Sequence, residues 1–156
     1  MLNFIKEIIC SAQTNIQDSN NDEDRKVQIA TCALLIETAN ADDRYLPEER
    51  KKIIEIMKGF FGLEDEVIEE LMELSEAEIR DSVSLYEFTD IINSNFTAEQ
   101  KFEVLKNIWR LILVDDELDV QEDHIANIIG SNLHIYRSEI VKAKLIVKEE
   151  KKKGNR

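Results

Sequence analysis

Two stretches 73 residues apart carry the same arrangement of carboxylates, Ala41–Arg50 (ADDRYLPEER) and Val114–Asp123 (VDDELDVQED). Each sets an Asp-Asp pair behind an apolar run and a Glu seven residues after the first Asp. Aligned at that offset, Leu35 matches Ile108, Asp42 matches Asp115, Asp43 matches Asp116 and Glu49 matches Glu122. Beyond the glutamates a one-residue shift improves the match. A chain that repeats an apolar helix, an acidic loop and a second helix is expected to build two related helix–loop–helix units about a pseudo-twofold axis.

The segments between these landmarks read as helix throughout. Phe4, Ile5, Ile8, Ile9, Ala12 and Ile16 fall on one stripe at helical spacing. The polar run 17–24, QDSNNDED, reads as a turn. From Arg25 to about Ala41 the sequence is apolar on nearly all sides, the mark of a central buried helix. Pro47 suits the first position of the next helix, where its missing N–H costs nothing, and Gly59 and Gly62 close that helix.

A short acidic helix from Glu64 to about Glu73 and another across Ser84–Phe96 follow. Thr97 and Gln100 then form a capping box before a helix bearing Phe102, Leu105, Ile108, Trp109, Leu111 and Ile112. Asp119 and Glu122 suit the start of a helix running through Leu133, and a last helix runs from about Arg137 into the basic tail. No segment alternates with period two. The expectation is an all-α, compact single-domain bundle of about eight helices: residues 1–24 an N-terminal amphipathic helix and polar turn, 25–147 the helical domain, 148–156 a basic tail.

Charge narrows the function. The net charge is −13, and the tail Lys148–Arg156 contributes +3, leaving −16 on residues 1–147. Such a body repels phosphate backbones and anionic membranes and attracts cations or basic partners. No apolar run approaches the roughly 20 residues of a membrane span, and Lys6 and Glu7 interrupt any signal-peptide core. Cys10 and Cys32 stand apart among apolar residues, without metal-type spacing, and read as buried free thiols suited to a reducing cytoplasm. Phosphate-binding glycine loops, a His-Glu-x-x-His helix and a di-iron Glu-x-x-His pair are all missing, and no nucleophile–base pair suggests itself, so no enzyme is expected.

The Asp pairs sit at the C-terminal ends of apolar helices, where the helix dipole disfavours negative charge by some tenths of a kcal/mol each. Something must compensate. A divalent cation held by Asp42, Asp43, Glu49, Asp115, Asp116 and Glu122 would do so, and oxygen-only ligands suit Ca²⁺, Mg²⁺ or Mn²⁺. Nearby Arg or Lys, or backbone N–H groups of the next helix, would also serve. The loop is not an EF-hand: counted from Asp115, position six is Val120 and position twelve is Ala126. Glu37 and Arg110, repeat equivalents in apolar helices, are expected to face each other as a buried ion pair or else to snorkel to a solvent edge. His124 and His134 read as surface or capping residues.

Residues 34–50, LLIETANADDRYLPEER, residues 108–125, IWRLILVDDELDVQEDHI, and the intervening LYEFTDIIN (85–93) together resemble the tellurite-resistance TerB-like family over roughly residues 25–147. The resemblance implies a helical domain of two similar units, an acidic surface binding divalent metal, and a place in a bacterial stress-response assembly with other proteins rather than a known reaction. Asp42, Glu49, Asp115 and Glu122 match the family's acidic positions, with His124 a weaker match. The family's usual Gly after the first Asp is Asp43 and Asp116 here, and Arg44 and Leu46 replace acids that the second loop keeps as Glu117 and Asp119. Two functions follow as expectations: a non-catalytic cation-binding module, its site leaning on the second loop, or a metal-free scaffold whose acidic face docks partners.

Overall fold

The computed structural model describes residues 19–41, 47–81, 84–114 and 120–154, the side chains of 19–22 and 120–122 excepted. Among the described residues there are seven α-helices and no strand: α1 (Ser19–Ala39), α2 (Pro47–Phe61), α3 (Asp65–Asp81), α4 (Tyr86–Asn95), α5 (Ala98–Ile112), α6 (Val120–Asn132) and α7 (Arg137–Gly154). The N-terminal apolar stripe, Cys10 and the loop acids Asp42, Asp43, Asp115, Asp116 and Asp119 lie outside the described residues.

α1 is the hub. It touches α2, α3, α4, α5 and α6, which is why its sequence has no polar face. Every residue from Ile29 to Ile36 is at most 2% exposed, and a fully buried aliphatic of this size contributes about 1.5–3 kcal/mol. Its two buried hydroxyls stay satisfied by turning back onto their own helix: Thr31 donates to the Val27 carbonyl at 2.8 Å and Thr38 to that of Leu34 at 2.7 Å. α5 is the second core helix, with Leu105, Ile108, Trp109, Leu111 and Ile112 buried. It starts at the expected capping box, Gln100 N–H donating to Thr97 Oγ1 at 3.2 Å and Thr97 N–H to Gln100 Oε1 at 2.8 Å.

The repeat is carried by the backbone. α1 ends at Ala39 and α5 at Ile112; α2 begins at Pro47 and α6 at Val120, each pair 73 apart. All seven buried positions of α5 fall on buried positions of α1: Val104 on Thr31, Leu105 on Cys32, Asn107 on Leu34, Ile108 on Leu35, Trp109 on Ile36, Leu111 on Thr38 and Ile112 on Ala39. α2 has 15 residues and α6 has 13, so they end 71 apart, at Phe61 and Asn132, and the offset becomes 72 in the turn that follows. Gly62 (φ 65°) and His134 (φ 62°) make the same left-handed turn there. The repeated unit therefore reaches beyond helix–loop–helix to a third pair, α3 and α7, starting 72 apart at Asp65 and Arg137.

Two expectations need correction. Residues 19–24 of the polar run are the first turns of α1, not a turn region: Asp22, Glu23 and Asp24 suit the positive end of a helix dipole, so low propensity there does not end the helix. α3 does not stop near Glu73 but runs to Asp81. Ser75 looks like a breaker yet is fully buried and donates to the Ile29 carbonyl of α1 at 3.2 Å, a tertiary bond that carries the helix onward.

Candidate functional site

The helix ends frame both acidic loops in the same way. α1 and α5 each end three residues before an Asp pair, and α2 and α6 each carry a glutamate at their third position, Glu49 and Glu122. Glu49 is only 4% exposed, an unusual place for a carboxylate. Glu122 lies on α6 at the equivalent position, its side chain outside the described atoms. Among the described residues no group of three or more His, Cys, Asp or Glu could hold a metal ion. A cation site would therefore need acids beyond those described, and the repeat offers Asp42 and Asp43 in one loop and Asp115 and Asp116 in the other.

The two helix ends differ in what already opposes their negative charge. The last turn of α1 has no basic residue. At the end of α5, Lys151 of α7 donates to the Leu113 carbonyl, and Arg110 lies in the last turn. Lysine at a helix C-terminus bonds orphan carbonyls and offsets the dipole. Even so, loop 115–119 (DDELD) carries −4 against one Lys151, whereas loop 42–46 (DDRYL) carries −2 with its own Arg44. The residual charge is −3 at the second loop against −1 at the first.

Arg110 does not meet Glu37. Its Nε and Nη2 donate to the two oxygens of Glu150 on α7 at 3.0 and 2.9 Å, and its Nη1 donates to Asn107 at 2.6 Å with Glu103 3.7 Å away. The expected Glu37–Arg110 pair is replaced because α7 brings an acid directly over the guanidinium. The hydrogen bonds to Glu150 hold the Arg110 pKa above its ordinary value, and those from Arg110 hold Glu150 below the usual carboxylate range. Glu37, half-buried without a partner among the described residues, has its carboxyl pushed up by burial. His124 and His134 are exposed on α6 and in the turn after it.

Glu78 on α3 is a feature sequence reading missed. It is fully buried, and neither carboxyl oxygen has a hydrogen-bond partner among the described residues. Burial first, with Asp81 and Glu87 adding like charge, pushes its pKa up to about 7. It lies on the same helix face as Leu71 and Ser75, seven and three residues earlier, which are buried with it. Cys32 is buried as expected, its Sγ 3.5 Å from Met72 Sδ, and burial drives the thiol to about 12, so it is an inert packing group.

A sequence-family model described as tellurite resistance protein TerB matches residues 28–145. No curated protein and no solved structure matches the chain.

Proposed function

The chain belongs to the TerB family, and from that premise we propose that it is a non-catalytic, divalent-cation-binding helical module of a bacterial tellurite-resistance-like stress response. Asp42, Asp43 and Glu49 form one carboxylate set and Asp115, Asp116 and Glu122 the other, the second taking the cation more tightly. The observation that carries this reading is the twofold placement of acid at a helix end: an Asp pair three residues past α1 and again past α5, each followed by a glutamate in the first turn of the next helix, with Glu49 buried. Hard cations such as Ca²⁺, Mg²⁺ or Mn²⁺ match an oxygen-only set. No helix among the described residues is long and apolar enough to cross a membrane, and the module acts at its acidic surface in the cytoplasm.

The test is thermal unfolding with and without the cation. A ligand that binds the folded state raises Tm with concentration, so millimolar Ca²⁺, Mg²⁺ or Mn²⁺ added to chelator-treated protein should raise Tm reversibly. A Tm indifferent to all three contradicts the reading and leaves the metal-free alternative, in which the acidic face docks basic partners.

A further inference from the structure

We propose that the outward ridge of α7 made by Arg137, Val141, Leu145 and Glu149 pairs antiparallel with the same ridge of a second copy of this chain. α7 buries Ile140, Ala143 and Val147 against α5 and α6. On its far side Val141 is 47% and Leu145 58% exposed, two large aliphatics four residues apart and so stacked on one helix face. Just before the helix, Tyr136 is 81% exposed. Continuing the same four-residue spacing outward places Arg137 at one end of the ridge and Glu149 at the other, both exposed and without a partner among the described residues.

The order of charges selects the occupant. Ala143 points inward, so a twofold axis normal to the outer face passes the helix at its level. Such an axis sets each residue opposite its mirror about position 143: Val141 on the partner's Leu145, Leu145 on the partner's Val141, Arg137 on the partner's Glu149 and Glu149 on the partner's Arg137. The ridge spans about 18 Å at 1.5 Å per residue, and it is self-complementary in an isologous contact. A parallel copy would set like charges together, and a purely acidic or basic partner would satisfy only one end. At the rim Lys142 faces the partner's Lys144, but Lys144 already donates to its own Asp123 at 2.9 Å. The lysines at 151–153 run past the paired ridge. One helix face per copy is below the roughly 1,200 Å² of a standard stable interface, so the dimer is weak and concentration-dependent.

Analytical ultracentrifugation of the full chain over a wide concentration range tests this. The expected result is a reversible monomer–dimer equilibrium, abolished by Leu145→Asp or Val141→Asp at unchanged helicity by circular dichroism. Arg137→Glu or Glu149→Arg alone should weaken the dimer about tenfold or more, and the two together should restore it. A chain monomeric at the highest concentration, a dimer indifferent to Leu145→Asp, or a double swap no tighter than either single change would overturn the proposal.

Discussion

Arg110 and Glu150 close a two-point bridge between α5 and α7, at 3.0 and 2.9 Å, one turn before the second acidic loop. The bridge fixes the angle at which α7 passes the end of α5, and the same passage lays Lys151 on the Leu113 carbonyl. In the first unit the position of Arg110 is Glu37, which has no such bridge.

The Arg110–Glu150 pair is half-exposed, with side chains 25% and 46% accessible, so solvent screening limits its worth. A double-mutant cycle with Arg110→Ala and Glu150→Ala, read by urea unfolding at neutral pH, should give a coupling of about 0.5–1 kcal/mol. Because Glu150 titrates below its ordinary range in the folded state, that coupling is present above the unfolded carboxylate pKa. It is lost as pH falls through the folded one.

Glu78 has the opposite sign. Its folded pKa lies near 7, above the ordinary 4.5. Its cost is therefore absent below about 4.5, grows as pH rises toward 7 and is constant above. Glu78→Gln should match the wild type in stability near pH 4 and exceed it by about 1–3 kcal/mol at pH 8. Chemical denaturation at the two pH values checks this.

Gly130 lies inside α6, where Ala would ordinarily be the better helix former by about 1 kcal/mol. Here a Cβ would stand 2.6 and 2.7 Å from the Cδ1 and Cγ1 of the buried Ile140. Gly130→Ala should therefore destabilise by about 1–2 kcal/mol through overpacking. Adding Ile140→Val, which removes the Cδ1 methyl, should recover part of that loss in thermal melts.

His134 holds φ 62° after α6, and the next N–H, of Ile135, closes onto the Gly130 carbonyl at 3.0 Å. That is the glycine position of a helix C-cap, filled by Gly62 in the first unit. His134→Gly should raise stability by about 0.5–1 kcal/mol, since a side chain in this region costs about that much. An unchanged or lower denaturation midpoint would contradict it.

What the sequence made legible was local or repeated. Pro47, the Thr97–Gln100 box, Gly62 and the matched Asp pairs set helix ends by backbone chemistry alone, and the structure puts those ends at the expected residues. The run 19–24 and the length of α3 misled because they depend on charge at a helix start and on what packs against the helix. The Glu37–Arg110 expectation failed for a related reason. Repeat equivalence ranks positions within a helix, but a third helix, α7, supplied the nearer acid. The burial of Glu78 is likewise a property of how α3 lies, and an acidic helix shows no sign of it in composition. The acids of the two loops were found by repetition alone.

Isothermal titration calorimetry reads cation binding to the two acidic loops itself. Chelator-treated protein titrated with Ca²⁺, Mg²⁺ and Mn²⁺ should give saturable heat with at least one of them. Asp115→Asn with Glu122→Gln should remove most of that heat, and Asp42→Asn with Glu49→Gln the smaller share. No heat with any of the three cations, or heat unchanged in the Asp115→Asn, Glu122→Gln variant, would contradict the account.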